Sequence, residues 1–511
     1  MAALTKPTTV VWLRDELRVH DNALFAAAAA RGGPVLPVYC VSADAARAAD
    51  SGLARKCGAR RARFTLECVA DLKATLEGRG SGLVVKRGAP ADVLGEIVAK
   101  CGGDATVIYS PAPCPEEAAD ERAVAASCAC EAVAEGPLYH DGDLEAVPFY
   151  DGLFTKWKQA VERAKTPVRA DVFPASAVLP APPGAFAGDL AAAPPTLEAL
   201  GYDAADAVSD PRGDFFAPVG GETAGLARLE RYVNGENRLK DYFETRNGLA
   251  GQGYSTKLAP WLARGCVSPR AVARACAAYE KRTGIANKST YWVVFELTWR
   301  DFFLRYAATH GAKLFRAHGV RGDPSRKWTR FGLDRWKSGR TGVALVDAFM
   351  IELDKTGFMS NRGRQIVASY LVHDLGIDWR LGAEHFEEHL VDYTPEANWG
   401  NWHAVAGLSG GRINRFNVAK QAKDHDADGA FARLWIPELR DVPDVHNAAA
   451  LARAAPAYPR PLAARGFSYP AAAKKGGPEP RRQAKPGAKS DSKRRKPARR
   501  GRVQGGWAGD E

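Results

Sequence analysis

Thr9-Val10-Val11-Trp12-Leu13-Arg14-Asp15-Glu16-Leu17-Arg18-Val19-His20-Asp21-Asn22 carries two signals in fourteen residues. Its first five residues form an unbroken apolar run, rich in β-branched and aromatic side chains, as a strand buried on both faces requires. A charged turn follows. The glycine-rich loop G-x-G-x-x-G that would cradle a dinucleotide phosphate is not there, so this opening gives little support to a dinucleotide-binding Rossmann domain. Outward from it, Val35–Val41, Leu83–Lys86 and Thr106–Tyr109 repeat the apolar pattern, with helix-length segments between them. The alternation predicts an α/β domain over residues 1–145, a doubly wound parallel sheet with helices on both faces.

The chain has 511 residues, 46% hydrophobic and 25% charged, ordinary for a soluble protein with several cores. No apolar run approaches the ~20 residues of a membrane span. Only eight residues precede Thr9, too few for a cleaved signal or a long transit peptide. We therefore expect a soluble intracellular protein, nuclear or cytoplasmic, without a membrane partner. The nine cysteines are scattered between Cys40 and Cys276, and the close pair Cys128 and Cys130 has no second pair at metal-site spacing. They read as reduced thiols, and no metal is expected of them. The net charge of +12 is uneven: residues 474–511 carry 13 Lys/Arg against 4 Asp/Glu, leaving the body only +3. A nucleic-acid surface on the body must then be a local patch.

Residues 146–219 read as a connector, Pro-, Gly- and Ala-rich from Val172 onward. From Gly220 to about 445 the signals are helical almost throughout, starting with Leu226, Leu229 and Tyr232 at spacing three. This predicts a second, all-α domain. Residues 446–511 turn to Ala/Pro and then Lys/Arg, a composition that reads as a disordered tail.

Four stretches of the helical region carry chemistry. In Phe295-Glu296-Leu297-Thr298-Trp299-Arg300-Asp301-Phe302-Phe303, helical spacing puts Glu296, Trp299, Arg300 and Phe303 on one face. A carboxyl beside aromatic rings suits a pocket for a flat ligand; the plainer alternative is a surface Glu296–Arg300 salt bridge. In Met359-Ser360-Asn361-Arg362-Gly363-Arg364-Gln365, Asn361 and Arg364 face one way. Ser360 or Asn361 can cap the helix start, which leaves Arg364 unexplained. Asp392-Tyr393-Thr394-Pro395-Glu396-Ala397-Asn398-Trp399-Gly400-Asn401-Trp402 packs amides and indoles into a turn, either a binding element or a tight aromatic loop. Finally Tyr242–Arg246 and Gly253-Tyr254-Ser255-Thr256-Lys257-Leu258 offer hydroxyls and backbone N–H groups that can hold phosphate.

Taken with Trp12–Asn22 and Glu244-Thr245-Arg246-Asn247-Gly248-Leu249, these strings resemble, in order, the DASH branch of the cryptochrome/photolyase superfamily, from about Thr8 to Pro443. The resemblance implies an α/β antenna domain and a helical domain holding FAD. Tyr242, Ser255, Thr256, Lys257 and Leu258 would line its phosphates. Asn361, Arg364 and Asp392 would surround the flavin and ribityl parts, with Thr394 where a second Asp is common. Asn398 would sit at flavin N5. Glu296, Trp299, Arg300 and Phe303, with Asn361 and Arg362, would meet a pyrimidine dimer flipped out of DNA. Trp402, Trp379 and Trp328 would relay electrons for photoreduction. The implied activity is that of a deoxyribodipyrimidine photo-lyase: blue-light splitting of cyclobutane pyrimidine dimers, preferentially in single-stranded DNA, by a monomer. Methenyltetrahydrofolate is the implied antenna, with Glu116 near its acidic contact. The basic tail suits RNA or nuclear import. Three departures bear on repair: Thr394 stands for a second Asp, Trp399 replaces a usual Tyr, and Ala404 replaces a large aromatic whose stacking is worth ~1–3 kcal/mol per base. A blue-light signalling protein with little repair is the alternative function.

Overall fold

The structure is a computed structural model that describes residues 6–42, 46–174, 176–212, 217–411, 413 and 415–462. The basic stretch 474–511 lies outside the described residues. Five parallel strands, β1 (Thr8–Leu13), β2 (Val35–Val41), β3 (Val84–Arg87), β4 (Ala105–Tyr109) and β5 (Cys130–Ala132), form one sheet in the order β3-β2-β1-β4-β5. The chain thus winds outward from β1 in both directions. Every residue of β1 is buried, and alternation divides its side chains between two cores. Val10 and Trp12 pack with Leu36, Val93, Ile97 and Val124 beneath the helices Pro90–Lys100 and Pro115–Ser127. Val11 and Leu13 face Leu24, Phe25, Phe64 and Leu72 of the helices Ala23–Arg31 and Ala59–Glu77. That second core runs on without a break into the helical domain. The four strands expected from the sequence are present; β5, three residues long, was not expected.

The charged turn after β1 joins the two domains. Arg18 is buried and donates to the carbonyls of His20, Asp21 and Gly265, each at 2.9 Å. Asp21, with φ +51°, receives Nε of Arg270 at 2.8 Å and the Ser268 hydroxyl. Glu135 pairs with both Arg18 and Arg270. Glu222, first residue of the helix Glu222–Glu230, accepts the N–H groups of Val19 (2.6 Å) and His20 (3.1 Å) and the His20 imidazole. The approach is close: a Cβ on Gly265, at φ +63°, would stand 1.7 Å from the Asp15 carbonyl oxygen.

The 23-residue helix Lys288–His310 is the axis of the helical domain, started by an Asn287–Thr290 capping box. Phe154–Ala164, within the stretch read as connector, is a helix that sets Phe154 and Trp157 against Phe302. The Pro/Gly/Ala-rich segment after it is anchored by Phe186, Leu200 and Tyr202, all buried. The described chain stays packed to Leu462 rather than ending near 445: Tyr458 donates to Asp347 and the Leu462 N–H to the Thr341 carbonyl. These few anchors are too sparse to show as periodicity. No helix among the described residues is long and apolar enough to cross a membrane, and the nine cysteines are free thiols.

Burial alone would raise Asp21 and Glu222. Arg270, Ser268 and Arg18 instead hold Asp21 below its ordinary 3.8, and His20 with the Val19 and His20 N–H groups holds Glu222 below 4.5. Depressed carboxyls stabilise the fold above their ordinary values and lose that contribution as pH falls through the folded values. Glu222→Ala is therefore expected to cost roughly 3 kcal/mol at neutral pH. The gap from wild type should shrink below pH 4.5. Denaturation curves of both proteins at neutral and acid pH check this; a gap independent of pH would contradict it.

Candidate functional site

The helices Asn361–Ser369, Trp379–His389 and Pro395–Val405 enclose a cavity of about 560 Å³. Its lining brings together Asn361, Arg364, Asp392, Thr394, Asn398 and Trp402, six of the residues singled out in the sequence. Ser360 caps the first helix through its hydroxyl to the Gly363 N–H, which leaves the Asn361 side chain free of that task. Arg364 reaches both oxygens of Asp392, at 2.8 and 3.0 Å, and its Nε donates to the Met359 carbonyl at 2.9 Å. This two-oxygen contact ties the start of one helix to the turn before another. Asn398 is buried, lines the cavity, and its amide nitrogen donates to the Ala383 carbonyl at 3.0 Å. Asn401, which sequence reasoning did not single out, also lines the cavity: its amide nitrogen donates to the Ala397 carbonyl, and its buried Oδ1 has no hydrogen-bond partner.

The loop Gly253–Leu258 closes a neighbouring region. Arg228 gathers it by donating to the carbonyls of Gln252, Ser255 and Thr256. Lys257 is buried at φ +53°, its ammonium over the rings of Tyr254 and Phe358. Burial lowers Lys257 to about 7, against the opposing pull of Glu352. Burial likewise raises Glu352 well above the carboxylate range, although Lys257 and Arg364 oppose it. Both oxygens of Glu352 and the Tyr254 hydroxyl are buried without hydrogen-bond partners. These buried oxygens, with Asn401 Oδ1, await a polar partner that can donate hydrogen bonds to them.

Glu296 does not line this cavity. It accepts from the Trp292 indole at 3.0 Å and pairs with Arg246 at 3.5 Å, beside buried Tyr242. Burial raises its carboxyl, and Arg246 and Trp292 oppose the shift without cancelling it. The alternative partnership with Arg300 is absent: Arg300 turns toward Gly136 and lines a separate cavity at the domain seam. Helical spacing allowed the pair, but Arg246 arrives from another element. Trp299 lies face to face with Phe154, centroids 3.5 Å apart, and stacks on Phe303. Phe303 is buried where a Cβ on Gly400 would meet it at 2.4 Å. Trp299 and Phe303 are engaged in ring packing and do not share an open face with Glu296. Arg362 reaches Gln365 and Asn247 at 3.1 Å.

The three tryptophans expected to form a relay lie at different depths. Trp402 lines the cavity and lies against Gly382, in the helix that Trp379 begins. Trp379 is fully buried; half-buried Trp328 adjoins its segment through the Thr329–Ile377 bridge and carries Arg326 at 3.8 Å. At the seam, Glu116 is committed to Arg47 (2.8 Å) and Lys56 (2.6 Å). The seam cavity is lined instead by Glu117, with Arg14, Arg300, Thr394 and Glu396. Burial raises the Glu117 carboxyl to about 7.

Comparison with known proteins matches this arrangement. Residues 9–177 match the DNA photolyase family and residues 292–472 the FAD binding domain of DNA photolyase. Cryptochrome DASH of Ostreococcus tauri, named as chloroplastic/mitochondrial, is 43% identical over 86% of each chain. Cryptochrome DASH of Natronomonas pharaonis is 42% identical over 85% of this chain and 91% of its own. The chain belongs to the DASH cryptochromes of the photolyase family. Among solved structures, a Synechocystis cryptochrome superposes with a TM-score of 0.81 at 37% identity, over 90% of this chain and 97% of its own. A bacterial class III photolyase from Agrobacterium tumefaciens gives 0.69 at 26% identity. Membership of the cryptochrome/photolyase family, the FAD-binding domain and the two-domain fold expected from the sequence all hold.

Asp392→Ala strands Arg364 at the cavity and removes an acceptor worth about 1.5–3 kcal/mol. Flavin affinity of this DASH cryptochrome is expected to fall about tenfold or more, read from FAD released on denaturation. Full occupancy in the variant would contradict this role.

Proposed function

We propose that this chain is a blue-light-driven, FAD-dependent photo-lyase that splits cyclobutane pyrimidine dimers, with single-stranded DNA as preferred substrate. The observation that carries this reading is the cavity gathering Asn361, Arg364, Asp392, Asn398, Asn401 and Trp402, in a chain with a photolyase FAD-binding domain. FAD, when bound and reduced, supplies the photoexcited electron that opens the dimer and takes it back. The two cyclobutane C–C bonds break and no net redox change remains. Arg364 and Asp392 orient the cofactor's polar edge, Asn398 offers an uncharged amide, and the Gly253–Leu258 loop with Lys257 holds the phosphate arm. Glu296, whose carboxyl burial raises, would in its protonated form donate a hydrogen bond to a dimer carbonyl as negative charge builds there. Arg246 fixes that carboxyl in place. Extruding a dimer is cheapest where the strand is already unpaired, which supports the single-strand preference.

The antenna is placed at the seam cavity, as methenyltetrahydrofolate, with Glu117 rather than Glu116 as its acidic contact. The tryptophan series Trp402, Trp379, Trp328 would relay electrons from an external reductant, such as a soluble thiol, to oxidised flavin under light. The basic stretch 474–511 attracts phosphates of DNA or RNA. A signalling role with little repair is the second reading; half-exposed Ala404, which offers no ring for the lesion to stack on, favours it.

Glu296→Ala is expected to lower the number of dimers split per absorbed photon severalfold with unchanged FAD content, and Glu296→Gln to retain part of it. Trp402→Phe should slow photoreduction while chemically pre-reduced protein still repairs. Wild-type yield from Glu296→Ala would remove Glu296 from the chemistry.

A further inference from the structure

The helix Trp379–His389 ends in His385-Phe386-Glu387-Glu388-His389. The spacing H-x-x-E-H puts two imidazoles one turn apart on the same helix face with a carboxylate between them. Ligand atoms of His385, Glu388 and His389 all lie within 4.8 Å of one another. His385 is only 4% exposed, yet neither ring nitrogen has a hydrogen-bond partner. An imidazole carries a donor and an acceptor, and burying both unmet is costly. Packing gives the ring an edge contact with Trp336, centroids 5.6 Å apart, which would serve a phenyl ring as well. His389 is already oriented: its Nδ1 lies 3.0 Å from the His385 carbonyl, so the proton sits on Nδ1 and the Nε2 lone pair is free, the arrangement usual for a ligating histidine. That Nε2 stands 3.8 Å from Asp354 Oδ1, at the end of the helix Ala344–Thr356. A solvent-open cavity lined by Arg55, Gly58, Arg60, Asp354, Glu388 and His389 leads to the cluster. Arg55, Arg60 and Lys355 line the same cavity as opposing charges, and Lys337 acts on His385; Arg60 is engaged by the carbonyls of Asp354 and Val208.

We propose that His385, Glu388 and His389 form a site for a divalent transition metal of the zinc class, with Asp354 within reach as a fourth ligand. Two imidazole nitrogens with carboxylate oxygens select zinc and its borderline neighbours over magnesium or calcium. The metal would act as a clamp at the domain seam. The Glu388 carbonyl already accepts the Gly58 N–H at 2.9 Å, at the start of the helix Ala59–Glu77, and Ser51 binds Glu384 one turn earlier. Binding would thus join two helix ends of the helical domain beside these contacts to the α/β domain, and would raise melting temperature by mass action.

The test uses the flavin-loaded full chain, stripped with a chelator and dialysed against zinc chloride, with bound metal measured by elemental analysis. One equivalent of zinc and a zinc-dependent rise in melting temperature are expected. His385→Phe keeps the ring packed on Trp336 and should fold with its flavin. It should weaken zinc binding by at least about tenfold and abolish the rise. Glu388→Gln, on the solvent side, should weaken binding in the same direction, and His446→Gln, whose imidazole meets Asp426 at 3.0 Å and is no part of the cluster, should leave it unchanged. No saturable zinc binding by wild type, or binding as tight in both site variants as in wild type, would overturn the proposal.

Discussion

The two domains are held in register by a buried set of charges. Arg18, Asp21, Glu135 and Arg270 interlock at the turn after β1, with Glu222 receiving the adjacent backbone N–H groups. Buried charges are tolerated only with their partners in place, and losing one leaves an uncompensated ion. The cluster is therefore weak as a source of net stability and strong as a constraint on geometry. It allows one seating of the sheet on the helical domain, with Gly265 pressed on Asp15. That seating creates the seam cavity lined by Arg14, Glu117, Arg300 and Glu396. It also fixes the turn Asp392–Thr394, whose residues line the flavin cavity, through Arg264 donating to the Tyr393 carbonyl at 2.9 Å.

The same logic orders the candidate site. Arg364 and Asp392 neutralise each other across two elements, while Asn398 and Asn401 present amides that carry no charge into a confined space. Glu352 and Lys257, both pushed by burial toward their neutral forms, sit where a phosphate-bearing ligand would change the local balance. The orphaned oxygens of Asn401, Tyr254 and Glu352 mark a region built for a partner beyond the polypeptide.

Much of the fold was legible because long apolar runs name their own secondary structure. β1 and β2 lie within a residue of their expected bounds, whereas Cys130-Glu131-Ala132 pairs only at the sheet edge and has no pattern to read. Isolated anchors such as Phe186 and Tyr458 are decided by the surface they land on. At the candidate site, the residues that meet in one cavity were singled out by ordered motifs rather than by physics. Partners were not: Glu296 pairs with Arg246, fifty residues upstream, although Arg300 stood one turn away, and Trp299 is covered by Phe154 from a segment that read as connector. Helical spacing lists which neighbours are available, and tertiary packing chooses among them. The His385–His389 cluster drew no attention because the metal question was asked of cysteines.

The account rests on light driving dimer cleavage at this flavin site. The most direct measurement is the recovery of intact thymines in a single-stranded oligonucleotide carrying one cyclobutane dimer, mixed with chemically reduced, FAD-loaded protein under blue light and in darkness. Recovery in the light, none in darkness and slower recovery from the same dimer in a duplex are the results expected. Stable dimers under illumination, with FAD bound and reduced, would contradict the repair reading and leave the signalling role.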